Sequence, residues 1–187
     1  MSEPILVKDL MIPLKDYATV SQEDTLYDAV IALEQADRRL HHGTYRHRAV
    51  LVLNENNEIV GKLSQLDFLK ALEPRYKEIT DSKSLNRFGL SASFVRSMIS
   101  SQGLWQKPLD NICARASYIK VKEVMYTPAE GEYVREDASI DEAIHQLIMG
   151  HHQSLLVTRD SKVVGVLRLT DVFATVYMLI KGCGPPE

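Results

Sequence analysis

The sequence predicts an α/β (α+β) protein built from two copies of one β-α-β-β-α unit, with a helical insert between the copies. Three observations support this fold class. The segment that begins at Val7 recurs at Val121, and the segment that begins at Gly61 recurs at Gly165. Each copy also shows a helical apolar period followed by two β-rich runs. Because an ordered pair of repeats is a strong signal of architecture, we expect both copies to fold alike.

The two copies stay in register over most of their length. A constant offset of 114 residues pairs Val7-Lys8-Asp9-Leu10-Met11 with Val121-Lys122-Glu123-Val124-Met125, Val20 with Val134, and Leu33 with Leu147. Downstream, an offset of 104 residues pairs Leu51-Val52-Leu53 with Leu155-Leu156-Val157, Gly61 with Gly165, and Asp67 with Asp171. The change of offset means that the first copy holds ten extra residues. They fall around the basic segment 38–48, in the loop between the first helix and the following strand.

Each predicted element has a local reason. Thr25 and Ser139 can cap the first helix of each copy, whose apolar residues recur at spacings of three and four. Two β-rich runs around a polar turn then predict a hairpin. A last helix is expected over 65–72 in the first copy and over 169–180 in the second.

The segment between the copies is long for a connection within a compact domain, so we expect it to have its own structure. Ser91 can cap a helix that runs to Gln102 and ends at Gly103, and a second helix can begin near Pro108. These helices either cover the core or form a dimer or partner surface. We therefore divide the chain into repeat 1 (1–72), insert (73–117), repeat 2 (118–181) and tail (182–187).

Composition indicates an ordinary globular protein and excludes some function classes. The chain has 187 residues, 45% hydrophobic and 25% charged, with a net charge of −3, so it has no overall attraction to nucleic acid or to an anionic membrane. Cys113 and Cys183 are too few for a disulfide framework. No signal peptide or membrane span is apparent, and we expect a cytoplasmic protein.

The element order, the opening Val-Lys-x-x-Met and the closing Gly-x-Leu-x-x-x-Asp resemble a tandem pair of CBS domains, named after cystathionine β-synthase and also called a Bateman module. The resemblance covers about three quarters of the chain. It implies two repeats packed through their sheets as a pseudo-twofold pair with two clefts. Such clefts commonly bind AMP, ADP, ATP or S-adenosylmethionine, with or without Mg²⁺. The resemblance further implies no tightly bound cofactor, a homodimer, and signal transduction to a regulated protein.

The repeated Gly-x-Leu-x-x-x-Asp motif places Ser64 and Asp67 at the start of a helix, where free N–H groups and the macrodipole favour anions. Asp67 could accept hydrogen bonds from ribose hydroxyls, and Ser64 could donate to a phosphate. The alternative is a capping box that only stabilises the helix. In the second copy Arg168 replaces the serine while Asp171 is kept. Arg168 either binds a phosphate or forms a salt bridge with Asp171 that closes the site.

Further candidates lie near the predicted cleft edges. The 104-residue offset aligns His47 with His151 and Arg48 with His152, just before equivalent strands, where these groups suit polyphosphate. The resemblance places Thr19 and Tyr133 on the base pocket, where Tyr133 either stacks on adenine or only packs. Thr170 can supply a hydroxyl. Metal binding by the adjacent histidines His41, His42, His151 and His152 is disfavoured, because they lack helical i, i+4 spacing.

These features predict a regulatory module that binds an adenine nucleotide or another adenosyl ligand and is not an enzyme. No phosphate-binding glycine loop, nucleophile elbow or metalloprotease motif occurs in the sequence. The alternative is a ligand-free structural module that dimerises and docks another protein through the insert, around Phe94, Val95, Met98 and Trp105.

Overall fold

The computed structural model describes residues 4–39, 46–73, 92–102 and 111–183. Its helices are α1 (Val7–Leu10), α2 (Leu26–Arg39), α3 (Gln65–Leu72), α4 (Ala92–Gln102), α5 (Ile112–Tyr118), α6 (Val121–Val124), α7 (Ile140–Gly150) and α8 (Leu169–Cys183). Its strands are β1 (Ile12–Pro13), β2 (Thr19–Ser21), β3 (Ala49–Leu53), β4 (Ile59–Ser64), β5 (Tyr133–Arg135), β6 (Ser154–Arg159) and β7 (Lys162–Arg168). Short 3₁₀ turns lie at Leu14–Asp16 and Glu130–Glu132.

The predicted α/β fold class is confirmed, because each copy contains a strand, a helix, a hairpin and a final helix. In the first copy β2 pairs in parallel with β3, which pairs antiparallel with β4. The second copy repeats this with β5, β6 and β7, and β1 adds to the free edge of β7. Ser139 caps α7 by accepting a hydrogen bond from the Glu142 backbone, as its position in the sequence predicts. Helix α8 ends at Cys183 rather than at the predicted Ile180.

The sheet registers correct one part of the sequence alignment. Thr19 pairs with Leu51, and its equivalent Tyr133 pairs with Leu156, not with Leu155. In the antiparallel pairs, Leu51 of β3 lies opposite Lys62 of β4, and Leu156 of β6 lies opposite the equivalent Val166 of β7. Strand β3 therefore matches β6 at an offset of 105, and the offset of 104 holds only from β4 onward. The extra length in the loop of the first copy is nine residues, and its hairpin turn holds the tenth.

This correction changes the pairs predicted at the cleft edge. His47 is equivalent to His152, and Arg48 is equivalent to Gln153. A conserved geometry supports the new pairing, because the Gln65 N–H donates to the Arg48 carbonyl as the Leu169 N–H donates to the Gln153 carbonyl, both at 3.0 Å. The two copies thus do not both carry a basic residue at the position of Arg48.

The opening turn of each copy packs into the core of the other copy. Val7 of α1 is fully buried with Leu155 and Leu167 of the second sheet. Val121 of α6 is fully buried with Val50 and other residues of the first sheet. The boundaries of the two repeats, taken from the sequence, stay a prediction. Within the described residues, the opening turn of each copy belongs to the buried core of the other copy.

A third buried cluster joins the two sheets. Tyr17, Leu51, Leu156 and Val166 pack together there, with residues of both hairpins around them. Apolar side chains on the facing sides of both sheets are removed from water at this joint, which is the usual driving force for layer packing. Both hairpins take part in this joint, and each predicted motif runs from the last strand of its hairpin into the following helix.

The described part of the insert covers the first core. Helix α5 packs on α2 and α3, and the Arg115 guanidinium donates to the Leu72 carbonyl at 2.9 Å. Helix α4 has the predicted end at Gln102, whereas Ser91, Gly103, Trp105 and Pro108 lie outside the described residues. In the part of the chain that the structure describes, no helix is long and apolar enough to cross a membrane.

Candidate functional site

A cavity of about 490 Å³ opens between the two halves of the molecule. Both copies contribute to its wall, since the ends of β4 and β7 and the loop before β6 meet there. The side chains that line it include Tyr17, Arg48, Lys62, Ser64, Asp67, Tyr126, Glu132, His151, His152, Arg168 and Thr170. The structure therefore brings together seven of the residues predicted from sequence: Arg48, Ser64, Asp67, His151, His152, Arg168 and Thr170. Thr19, Tyr133, His47 and Asp171 are not part of this wall.

Ser64 and Asp67 form the capping box that was one of the two interpretations of their motif. The Asp67 Oδ2 accepts from the Ser64 hydroxyl at 2.6 Å and from the Ser64 N–H at 3.0 Å. The Asp67 N–H donates to the Ser64 Oγ at 3.3 Å. Only one carboxylate oxygen takes part in these bonds, so capping and ligand binding are compatible at Asp67.

The same box occurs at a second place, on the exposed start of α2. Asp28 Oδ2 accepts from the Thr25 hydroxyl at 2.6 Å and from the Thr25 N–H at 2.9 Å. The hydrogen bond from the Thr25 side chain is the main reason why the pKa of Asp28 is lowered. Asp28 does not line the cavity. The capping geometry alone therefore does not identify a site, and the location of Asp67 on the cavity wall is what distinguishes it.

Of the two interpretations of Arg168, the salt bridge is present in the structure. Its guanidinium donates from Nε to Asp171 Oδ2 and from a terminal nitrogen to Asp171 Oδ1, each at 2.6 Å. The Arg168 side chain is buried, and that of Asp171 is mostly buried. A bidentate pair of this kind is strong and directional, so the Asp171 carboxylate is occupied. The two motifs consequently differ: the first presents its carboxylate to the cavity, and the second holds it in an ion pair.

The sequence interpretation missed an ionic cluster on the cavity wall, formed by Lys62, Glu132 and Tyr126. The Lys62 ammonium forms a salt bridge with Glu132, whose side chain is only 2% exposed. Glu132 also accepts from the Ala129 N–H at 3.1 Å and from the Tyr126 hydroxyl. Burial raises the pKa of Glu132, but hydrogen bonds from Lys62, Tyr126 and Ala129 outweigh it and hold the pKa below its usual value. The hydrogen bond to Glu132 raises the pKa of Tyr126.

Basic groups at the rim differ in their surroundings. Arg48 is exposed and forms no ion pair with the other described residues. His151 ends α7 with a left-handed backbone, φ 52°. The His152 ring lies on the backbone of Gly150, where an added Cβ would come within 2.0 Å of Nε2. The glycine thus gives His152 the space to face the cavity.

Thr19 and Tyr133 take up equivalent places at the start of β2 and β5. Tyr133 packs against the cluster that joins the sheets, which agrees with the packing alternative. Stacking of this ring on a base stays a prediction. Within the described ranges no group of three or more His, Cys, Asp and Glu side chains is placed to hold a metal ion, and His41 and His42 lie outside those ranges.

His47 is fully buried behind the cavity wall rather than on it. Its ring meets the Tyr17 ring edge-on, with centroids 4.4 Å apart, and its backbone N–H donates to Asp37 at 2.8 Å. Neither ring nitrogen makes a hydrogen bond of good geometry, although the Asp16 backbone lies close enough to favour protonation slightly. Burial and the nearby Arg168 charge together lower the pKa of His47. Burial raises the pKa of its neighbour Tyr17 to about 12.

The buried His47 should make stability depend on pH. Its folded-state pKa lies below the usual 6.5, so the unfolded chain binds the proton more readily and stability falls as pH drops below about 6.5. The loss per pH unit should reach at most about 1.4 kcal/mol, until the folded-state pKa is passed. Urea unfolding of wild type and His47→Phe between pH 8 and pH 5 measures this. His145→Gln, at an exposed histidine, is the control; an unchanged slope in His47→Phe would contradict the prediction.

The paired halves and their shared cavity define a tandem-repeat module of α/β units. Residues 7–74 and 121–177 match the CBS domain family model. These segments make up more than half of the chain, which therefore belongs to the CBS domain family. A search of curated proteins gave no match.

Solved structures show the same fold at low identity. The CBS domain of a CBS domain containing membrane protein from Sphaerobacter thermophilus is 16% identical, with 91% of this chain and 87% of that one covered and a TM-score of 0.59. CBSX2 from Arabidopsis thaliana is 18% identical over 96% of this chain and 99% of that one, with a TM-score of 0.60. CBSX2 in complex with AMP is 19% identical over 94% and 98%, with a TM-score of 0.56.

Proposed function

We propose that this protein is a regulatory module that binds an adenosyl ligand in the cavity between its two repeats. The observation that carries the proposal is the location of Ser64 and Asp67, which open from the start of α3 into a cavity of about 490 Å³. This volume lies within the range typical of small-molecule sites, about 300–1,000 Å³. The solved complex of CBSX2 with AMP supports an adenine nucleotide as the ligand class.

Each group on the wall has a suitable partner on such a ligand. The Asp67 oxygen that takes no part in the capping box can accept from the ribose hydroxyls. The first N–H groups of α3 and the exposed Arg48 favour a phosphate. Thr170, His151 and His152 complete the rim from the second copy. AMP, ADP, ATP and S-adenosylmethionine, with or without Mg²⁺, all carry the ribose that this arrangement would recognise.

The module would act by coupling and not by catalysis. A ligand that binds one state of the repeat pair more tightly shifts the population of that state, and the affinity for a regulated protein changes by the same factor. A second copy of the chain is the proposed partner in solution, since α8 exposes Phe173, Tyr177 and Ile180. Cytoplasmic location and the absence of a nucleic-acid partner remain parts of this proposal.

The alternative is a ligand-free structural module that dimerises and docks a protein through its insert. Phe94 on α4 is 42% exposed and Tyr118 at the end of α5 is 82% exposed, which favours a contact on this side. The two functions differ in one measurable respect. Only the first requires saturable binding of a small adenosyl molecule.

Replacement of Asp67 by Ala should weaken adenosyl-ligand binding about tenfold or more, because one or two hydrogen bonds to a charged acceptor are lost. Calorimetric titration with AMP, ADP, ATP and S-adenosylmethionine measures this. Asp28→Ala is a matched control, since it removes the same capping box outside the cavity and should change stability by about 1 kcal/mol but leave affinity unchanged. Asp171→Ala should lower stability more than affinity.

Two results would refute the proposal. The first is the absence of binding by any of the four ligands to folded, nucleotide-free wild type, which would favour the structural module. The second is equal loss of affinity in Asp28→Ala and Asp67→Ala, which would show that capping alone is responsible.

A further inference from the structure

The ion pair between Lys62 and Glu132 is a costly feature to build into a cavity wall. The Lys62 side chain is 17% exposed and that of Glu132 is 2% exposed, so both charges are largely removed from water. A hydrophobic pair of similar volume is often as stable as a buried ion pair or more stable. Stability alone therefore does not explain why charges lie at this place.

The equivalent positions Val166 and Ala18, one in each copy, show that the fold does not need charges there. Val166 occupies the position in β7 that Lys62 occupies in β4, since the two lie opposite the equivalent residues Leu156 and Leu51. Ala18 directly precedes β2, and Glu132 directly precedes β5 in the same way. Val166 and Ala18 are both buried apolar residues. The equivalent positions are thus filled once by an ion pair and once by buried apolar residues. Of the two equivalent places, only the one that adjoins the Ser64 and Asp67 motif carries charges, with Lys62 from the first copy and Glu132 from the second.

Lys62 is placed to interact with more than Glu132. It belongs to β4, two residues before Ser64, and both line the same cavity. An ammonium group has three donors, of which the salt bridge to Glu132 uses one, and the Tyr126 ring centroid lies 5.4 Å from Nζ. Glu132 in turn has two further donors to hold it, the Ala129 N–H and the Tyr126 hydroxyl. Lys62 can therefore turn toward a new anion while the Ala129 N–H still donates to Glu132, but the carboxylate then loses its charged partner, and a ligand must offset that cost.

On the basis of the proposed function, we infer that Glu132 is an internal competitor for Lys62 and that the cavity selects ligands bearing a phosphate dianion over uncharged nucleosides. A phosphate near Ser64 draws Lys62 away from Glu132, and a single internal carboxylate competes less well than a dianion supported by Arg48. A neutral nucleoside has no anionic group that could replace Glu132 as the partner of Lys62. Only a ligand with enough negative charge to offset the cost of breaking the Lys62–Glu132 pair then gains affinity from Lys62.

Three proteins test this inference: wild type, Glu132→Gln, and the double variant Lys62→Val with Glu132→Ala, which introduces the apolar residues of the two equivalent positions. Each is titrated calorimetrically with AMP, adenosine and inorganic phosphate after a thermal melt shows that it is folded. Glu132→Gln should bind AMP about tenfold more tightly, because Lys62 is released. The double variant should bind AMP about tenfold more weakly than wild type. Adenosine affinity should be equal in all three.

The outcomes separate this inference from the proposed function. If AMP binds all three proteins equally, or if AMP and adenosine change together, the competitor role is wrong while adenosyl binding stands. If AMP does not bind wild type, the titrations with inorganic phosphate test the inference alone. Tighter phosphate binding by Glu132→Gln than by the double variant supports the competitor role. Equal or absent phosphate binding overturns it. If Glu132→Gln does not fold, the comparison of wild type with the double variant tests whether Lys62 binds the phosphate, and AMP binding that is no weaker in the double variant overturns the inference.

Discussion

A Lys62→Val protein should be less stable than wild type by about 3 kcal/mol at neutral pH, because it leaves the Glu132 carboxylate buried without its cation. The side chain of Glu132 is 2% exposed, so water cannot replace the ammonium group. The Tyr126 hydroxyl and the Ala129 N–H still donate to the carboxylate, but neither carries a charge. Urea unfolding followed by circular dichroism measures the difference.

The double variant Lys62→Val with Glu132→Ala is the matched control for this effect. It removes both charges and should recover most of the lost stability, since Val166 of the second copy and Ala18 of the first fill the equivalent positions as buried apolar residues. The pKa of Glu132 should rise in the single variant, so its deficit should shrink as pH falls from 7 toward the unfolded-state value near 4.5. Equal stability of the single variant and wild type at pH 7 would show that the pair is not desolvated in solution.

Local signals in the sequence account for most of the correct fold predictions. Ser139 predicted the start of α7, and the observed helix begins one residue later. The polar turns predicted both hairpins, and α3 covers the predicted range 65–72. Capping residues, apolar spacing and turn residues act within a few positions of the chain, so one sequence is enough to find them.

The register between β3 and β6 was wrong by one residue because these strands are buried on both faces. Four of the five residues of β3 are buried, and three consecutive residues of β6 are buried as well. A continuous apolar run has no alternation to fix its phase, so Leu51 matches Leu155 as plausibly as Leu156. The hairpin turns differ in length by one residue, and this difference was assigned to the loop before the strand instead.

The Lys62–Glu132 pair could not be predicted from local pattern, because 70 residues separate the two side chains. A usable signal was nevertheless present in the aligned repeats. Lys62 of the first copy corresponds to Val166 of the second, and Glu132 of the second copy corresponds to Ala18 of the first, so each copy is charged at one place where the other is apolar. Two charged residues of opposite sign, each at a position where the other copy is apolar, indicate that the two side chains form a pair. The salt bridge of Arg168 and Asp171 was among the predicted alternatives because it lies within a single turn.

Gly165 should be the less replaceable of two equivalent glycines in the hairpins. An added Cβ at Gly165 would lie 2.6 Å from the Ile12 carbonyl oxygen, which belongs to the backbone of β1. At Gly61 the nearest atom would be the Met125 Sδ at 2.5 Å, the far end of a flexible side chain. A thioether can rotate away, whereas a paired strand must shift as a unit and lose its hydrogen bonds.

Gly165→Ala should therefore destabilise the protein by about 3 kcal/mol, at the upper end of the usual cost of overpacking. Gly61→Ala should cost about 1 kcal/mol or less, because a new rotamer of Met125 relieves most of the overlap and the unfolded chain loses entropy. Chemical unfolding of the two variants measures both values, and hydrogen exchange at β7 should rise only in Gly165→Ala. If Gly61→Ala proved the more destabilising change, the close contact of β1 with β7 would not be what requires a glycine there.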